Sequence, residues 1–278
     1  MRSVLGNEVS KTFRKWRSSI SFLALAVVVP LVHAAFWWQR DRFLEVYARG
    51  LTQDFLVFGN LLNAYFVTSF LMNSLWIHIP FLITLGAGDQ LAGEATGGTF
   101  RLLLTRPASR TQIVMAKYAT ALLYSLALVL FLVGLSLAVG WTILGTGPLL
   151  VPGNTIVILS AAAAPGRIAL AALLAVWAMW TVASLAFLLS SLVDNAIGPI
   201  IGTMAVIIVL LVVSTLPVDL FADIKPYLFT TYMDVWRQAL AQPIGWDEIA
   251  RSTGALGAYS VGFFLIAWYI FARKDILS

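Results

Sequence analysis

Six long stretches of this sequence contain no charged side chain, and the shortest of them has 21 residues. An α-helix needs about 20 apolar residues to cross a bilayer, so each stretch is long enough for one crossing. The longest, 118–166, has 49 residues. Glycines and prolines at 145–153 interrupt it, so it is predicted to hold one span followed by a loop. The predicted spans are 19–38, 62–88, 116–144, 168–192, 196–216 and 253–272.

The composition excludes an ordinary soluble domain. Hydrophobic residues make up 60% of the chain and charged residues only 11%, whereas soluble domains carry about 25% charged residues. We therefore expect an all-α integral membrane protein with six transmembrane helices. Its net charge of +5 is typical of cytoplasmic flanks that contact anionic lipid, and it does not indicate nucleic-acid binding. The absence of cysteine excludes disulfides and cysteine metal sites.

An even number of spans places both termini on the same side of the membrane. Most lysines and arginines then lie on that side, among them Lys11, Arg14, Arg110 and Lys117. Basic residues accumulate in cytoplasmic segments. The sequence therefore predicts a multi-pass protein of the plasma (inner) membrane with both termini in the cytoplasm.

Two segments outside the spans have distinctive patterns. In residues 1–18, Leu5, Val9 and Phe13 recur at helical spacing beside several cations. This pattern predicts an amphipathic helix that lies in the inner headgroup layer, the alternative being a frayed basic tail. Residues 217–251 are rich in aromatic side chains, which favours an interfacial or re-entrant element on the outer side.

The segment 93–98 has the Gly-x-x-x-x-Gly spacing of a phosphate-binding loop. Thr99 and Phe100 stand where that loop needs lysine and a hydroxyl residue, so nucleotide binding here is not expected. His33 and His78 lie in different predicted spans without metal-ligand spacing. We expect no catalytic residue, no metal site and no bound cofactor, and hence a chain that is not itself an enzyme.

The residues after these glycines predict a short rigid element between two membrane helices. Gly97 and Gly98 permit a tight turn, and Pro107 would end a brief helix. Ser109 and Gln112 have the spacing of a capping box, which predicts that a new helix begins at this point.

The same region resembles the signature of the type-two ABC transporter permeases. Its parts are an acidic residue, a Gly-Thr pair, a leucine-rich turn, Pro-x-Ser-Arg and a later lysine, found here in 89–94, 98–104, 107–110 and Lys117. The basic amphipathic start, the six spans, the turn at 190–195 and the ending at 271–275 agree with that family. Ala95 departs from it, since most relatives carry a basic residue there.

The resemblance implies that 93–108 is a coupling element that docks on a separate ATP-binding cassette ATPase. Its candidate contacts are Glu94, Thr99, Phe100, Arg101 and Leu104, with a second, smaller contact at Asp194. It also implies a complex of two ATPase subunits and two permeases, the second permease being identical or homologous. ATP and Mg would then be bound by the partner ATPase, and the complex is expected to be an exporter.

Polar residues form a stripe in the second predicted span. Asn60, Asn63, Ser74 and His78 fall on one face at helical spacing. Polar groups in hydrocarbon are costly unless they face protein or water. The stripe lines a substrate pathway or provides hydrogen bonds between helices, and the sequence does not choose between these two interpretations.

Two other functions fit a chain of this kind. One is a membrane scaffold or assembly factor that transports nothing. The other is a secondary transporter, which predicts inverted repeats and charged residues near the midplane. No repeat is evident, and the acidic residues lie outside the predicted spans. An ABC permease subunit is the function that the sequence favours, with a substrate that it does not identify.

Overall fold

A computed structural model gives the fold of this chain and describes residues 2–42, 60–99, 109–152 and 156–274. The first part contains α1 (Arg2–Arg14), α2 (Trp16–Trp38), α3 (Ala64–Ser74), α4 (His78–Ala87) and α5 (Asp89–Thr96). The second part contains α6 (Arg110–Ile143), β1 (Leu149–Val151), β2 (Val157–Leu159), α7 (Ala164–Leu192) and α8 (Ile197–Thr215). Short turns of 3-10 helix and α9 (Phe229–Tyr232) then lead to α10 (Trp246–Arg273).

Within the described residues, five helices are long and apolar enough to cross a membrane, namely α2, α6, α7, α8 and α10. They confirm the expected all-helical membrane protein. The second predicted span, 62–88, is not one straight helix, because α3 and α4 meet at a bend of 69°. If this bent pair forms one span, the described part of the chain contains up to six candidate membrane spans.

The helix α7 forms the centre of the bundle. In its most apolar part 72% of the residues are buried, against 22% in α2 and 17% in α10. Small residues such as Ala171, Ala175, Ala178 and Ala183 are fully or almost fully enclosed, and they let neighbouring helices approach closely. The outer helices expose apolar side chains, including Leu31, Val209 and Leu265, as expected where a bundle faces lipid.

Hydrogen bonds between helix ends define two ends of the bundle. At the basal end, Arg110 donates to the carbonyl oxygens of Ala272 and Lys274, and Thr96 donates to the carbonyl oxygen of Asp194. At the distal end, Asn60 donates to Leu144 O. Arg167 donates there to the carbonyl oxygens of Ala239 and Ala241. The chain therefore alternates between the ends, and α1 and Lys274 both lie at the basal end.

The N-terminal helix is shorter than the predicted element 1–18. It ends at Arg14, and the chain turns at Lys15 before α2 begins. The side chains that it buries are those of Glu8 and Thr12, whereas Leu5 and Val9 are only half-buried. Glu8 and Lys11 of α1 pair with Lys117 and Glu94, and Phe13 packs against Phe22 and Tyr124.

The distal end contains one feature that the sequence did not predict. β1 and β2 pair as an antiparallel hairpin, with Leu150 opposite Ile158, within the predicted loop. The segment 217–251, predicted to be an outer element, lies at this end as 3-10 turns and the short helix α9, and its last residues, from Trp246 onward, begin α10. Trp236 and Phe229 are buried there, while Tyr227 and Trp246 are exposed.

Candidate functional site

Four ion-paired elements meet at the basal end, around the short helix α5. We call this group the basal cluster; its members are Glu8, Lys11, Lys15, Arg17, Asp89, Glu94 and Lys117. They come from α1, the start of α2, α5 and α6. A bend in the backbone at Lys15 brings the cations of α1 and α2 over the acidic side chains of α5.

Glu94 lies at the centre of the basal cluster with 1% of its side chain exposed. One carboxylate oxygen accepts from Lys117 Nζ at 2.8 Å and from Lys11 Nζ at 2.5 Å. The other accepts from the Thr99 hydroxyl. Burial disfavours the charged carboxylate, but the positive charge of Lys117 and the hydrogen bonds outweigh it and lower the pKa of Glu94 to about 2.

Lys117 connects α1 and α5 to the long helix α6. Its Nζ donates to Glu8 Oε2 at 2.7 Å as well as to Glu94, and the side chain is 1% exposed. An ammonium in this surrounding has to be paired, because an isolated buried charge costs many kcal/mol. Two carboxylates supply that pairing, so Lys117 fixes the position of both short helices on α6.

Asp89 begins α5 and forms the second acidic position of the basal cluster. It accepts from Lys15 Nζ at 2.6 Å and from Arg17 Nη1 at 3.2 Å. Gly93 lies one turn further along α5, and a Cβ atom there would come within 2.4 Å of Asp89 Oδ1. The lack of a side chain at Gly93 therefore makes room for the Asp89 carboxylate. It does not create a phosphate-binding site.

Ser190, near the end of α7, joins α5 to the central helix. Its hydroxyl accepts from the backbone N–H groups of Leu91 and Ala92 and donates to Gly88 O, with distances of 2.6–3.0 Å. The first N–H groups of a helix need such external partners. Thr96 adds a second connection, because its hydroxyl contacts Asp194 O and Ala196 N.

We expect Ser190→Ala to lower the free energy of unfolding by about 2 kcal/mol, because it leaves buried N–H groups without an acceptor. Ser191→Ala is the matched control. Ser191 is also buried, but its hydroxyl donates only within its own helix, to Leu188 O. Thermal unfolding of the two purified variants in detergent measures the difference. Equal midpoints would mean that Ser190 does not hold α5 in place.

The predicted coupling residues lie in three different situations. Glu94 is enclosed by the basal cluster, where it pairs with Lys11 and Lys117. Thr99 is half-buried beside it. Asp194 is exposed on the adjacent turn and pairs with Lys274 at 2.5 Å. Phe100, Arg101 and Leu104 fall outside the described residues.

The predicted capping box is confirmed. Ser109 Oγ accepts from Gln112 N at 3.2 Å, and Ser109 N donates to Gln112 Oε1 at 3.1 Å. This reciprocal pair starts α6 at Arg110, directly after the predicted coupling element.

The structure does not keep the predicted polar stripe on one helical face. Asn63 caps α3, accepting from Tyr65 N and Phe66 N, and it donates to Pro148 O. Asn60 holds the same loop through Leu144 O. Ser74 and His78 lie on either side of the bend between α3 and α4, and both are exposed.

A family model described as "Protein of unknown function (DUF2705)" matches residues 23–277. The chain belongs to the DUF2705 family. The match includes Asp89, Glu94, Lys117 and Ser190, while Glu8 and Lys11 precede it. The chain is also 29% identical over 203 residues to the "Uncharacterized protein YhcI" of Bacillus subtilis (strain 168). That alignment covers 71% of this chain and 64% of YhcI, so the chain spans less than two thirds of its relative's length.

The basal cluster of this DUF2705 protein is a network of ion pairs between helices. Among the described residues, no group of three or more His, Asp or Glu could hold a metal ion. The acidic side chains of the basal cluster instead form ion pairs with lysine and arginine. The sequence analysis did not identify Glu8 and Lys11 as members of the basal cluster. One signal was available: an acidic residue such as Glu8 inside a basic helix indicates that a specific cation lies close to it.

Proposed function

We propose that this chain is the transmembrane permease subunit of an ATP-binding cassette exporter, driven by a separate ATPase. The observation that carries the proposal is the basal cluster, which makes α5, α1 and α6 one connected unit. The unit directly precedes the segment 100–108, where the resemblance places the coupling contacts. A displacement of that segment would therefore be transmitted to the bundle through α5.

Two routes lead from α5 into the membrane helices. One passes through Glu94 and Lys117 to α6, and the other passes through Ser190 to the central helix α7. Charge-assisted hydrogen bonds in a low dielectric are strong and directional. A displacement of α5 would thus tilt α6 and α7 together instead of being lost in side-chain movement.

The distribution of charge supports a cytoplasmic position for the basal end. Acidic side chains are fewer than basic ones there, the acidic ones being Glu8, Asp89, Glu94 and Asp194 and the basic ones Lys11, Arg14, Lys15, Arg17, Arg110, Lys117, Arg273 and Lys274. Cytoplasmic ends of membrane proteins carry such an excess of cations. Both termini would then be cytoplasmic, on the side where an ATPase binds ATP and Mg.

In this proposal the chain supplies the substrate path and no catalytic group. Two ATPase subunits and a second permease, identical or homologous, complete the transporter. Asn60 and Asn63 are used to hold a distal loop, so the proposed path is narrowed to Ser74 and His78 at the bend of α3 and α4. Their exposure leaves them available to a second permease subunit.

The proposal predicts that an ATPase co-purifies with this chain and that Arg101→Glu abolishes the association. The test is co-expression of this chain with the neighbouring reading frames of its own genome, affinity isolation from membranes, and assay of ATP hydrolysis in the eluate. We expect at least a tenfold loss of bound ATPase, which is about 1.4 kcal/mol of binding free energy.

Arg251→Glu is the matched control, because Arg251 is an exposed arginine at the distal end. It should leave the association unchanged. Failure to recover any ATPase with the unmodified chain would contradict the proposal, and so would an equal effect of the two charge reversals.

A further inference from the structure

A cavity of about 450 Å³ opens at the distal end, far from the basal cluster. It lies between α3, the β1–β2 hairpin and the 3-10 turns at Met233–Ala239. Phe66, Phe70, Val151, Val157 and Leu240 supply apolar walls, and Ser69, Asn73, Trp236 and Arg237 add polar groups. Pockets that hold drug-sized ligands measure about 300–1,000 Å³ and combine apolar walls with a few polar groups in this way.

Arg237 is the charged residue among those that line the cavity. Its Nη2 donates to Asn73 Oδ1 at 2.7 Å, which holds the guanidinium against α3. Its ion pair with Asp234 measures 3.1 Å, and both side chains are about half exposed. Exposed pairs of this kind are weak. The guanidinium can therefore exchange Asp234 for an anionic group of a ligand at low cost.

Trp236 adds an unused hydrogen-bond donor. Its ring is buried, and its Nε1 has no acceptor among the described residues. The Arg237 guanidinium lies 5.6 Å from the centre of this ring. A buried donor without a partner is rare in folded proteins. The Trp236 ring and the Arg237 guanidinium therefore lie side by side in the wall of the cavity.

We infer that this cavity is a binding site for a small anionic amphiphile, with its carboxylate or phosphate at Arg237 and its apolar body along Phe66, Phe70 and Leu240. Two exposed aromatic side chains, Tyr227 and Trp246, lie at the same end of the bundle as the cavity. Aromatic residues concentrate at membrane interfaces, which is where amphiphiles accumulate. A cationic amphiphile is disfavoured, since the charge at the cavity is positive.

This site is independent of the proposed ATP-driven function, and its test uses the full chain alone in phosphatidylcholine nanodiscs. Four probes share a bromine-labelled dodecyl chain and differ only in the head group, which is a carboxylate, a phosphate, an alcohol or an amine. Quenching of tryptophan fluorescence reports binding, with empty nanodiscs as the reference for partitioning. We expect the two anionic probes to bind at least tenfold more tightly than the alcohol and the amine.

Variants of Arg237 decide whether the selectivity comes from this cavity. Arg237→Gln keeps a donor for Asn73 but loses the charge, and it should weaken binding of the anionic probes about tenfold. Arg237→Lys should retain most of the affinity. Arg251→Gln removes an exposed arginine at the same end but outside the cavity, and it should change nothing.

Three results would overturn the inference: equal binding of the alcohol and the anions, no saturable binding of any probe, or equal effects of Arg237→Gln and Arg251→Gln. Unfolding midpoints of the variants establish that each is folded. Whether the anionic carboxylate or the anionic phosphate binds more tightly identifies the head group that the site prefers. Loss of ATPase association in the separate experiment would leave this result untouched.

Discussion

Replacing Lys117 by methionine is expected to lower the free energy of unfolding by about 3–5 kcal/mol, the cost of breaking a buried ion pair from one side. The substitution leaves Glu8 and Glu94 enclosed, and only Glu94 retains another cation, Lys11. At neutral pH these carboxylates would have to take up protons or expose themselves to water. Thermal unfolding in detergent, or the yield of folded protein from membranes, measures the loss.

Lys274→Met is the matched control at the same end. Lys274 also forms a short ion pair, but its partner Asp194 is 71% exposed. Exposed pairs contribute at most about 1 kcal/mol, so this variant should remain close to the unmodified chain. If the two variants unfold at the same temperature, the basal cluster does not hold α1 and α5 on α6.

A double variant separates loss of pairing from loss of packing. Lys117→Met combined with Glu8→Gln removes both charges of the Lys117–Glu8 pair, while Glu94 keeps Lys11 as its cation. Such neutral replacements are much less costly than one unpaired charge. We expect the double variant to be more stable than Lys117→Met alone. Additive losses would indicate that the two residues do not interact, since coupling appears as non-additivity.

The membrane helices could be predicted from the sequence because their signal is local. Charge-free stretches longer than 20 residues have few other uses, and five of the predicted spans coincide with a long helix. The start of α6 was equally accessible, since Ser109 and Gln112 form their capping box within four residues. Predictions of this kind need no knowledge of distant contacts.

The basal cluster could be predicted only in part, because its pairs join residues far apart in sequence. Lys117 and Glu94 stood out as members of a family pattern, but their direct contact was not predicted. Glu8 lies 109 positions from Lys117. The helical spacing of Leu5 and Val9 predicted an amphipathic helix at the membrane surface, and it gave no indication that Glu8 would be buried against Lys117.

The polar stripe in the second predicted span depended on a helix that is not continuous. A face at 100° per residue has meaning only while the hydrogen-bond ladder continues, and the bend after Ser74 ends it. Asn63 also serves as the cap of α3. The cap and the bend depend on the loop that packs against them, here 144–148. The sequence pattern does not indicate that contact.

Gly140→Leu is expected to destabilise the chain by about 3 kcal/mol, through overpacking where α6 crosses α3 and α2. A Cβ atom at position 140 would lie 2.7 Å from Ala64 Cβ, 2.8 Å from Ala64 Cα and 3.0 Å from His33 Nε2. The Ala64 backbone starts α3 and cannot turn aside as a flexible side chain does. The two helices would have to separate at the distal end.

Gly134→Leu provides the control within the same helix. Gly134 is exposed, and a Cβ atom there would meet nothing within 4 Å. Leucine is a far better helix former than glycine, by nearly 1 kcal/mol, so this variant should be neutral or slightly stabilised. Unfolding midpoints that move in opposite directions would show that contact with α3, and not helix propensity, requires glycine at 140. A similar loss in both variants would contradict the close crossing of α6 and α3.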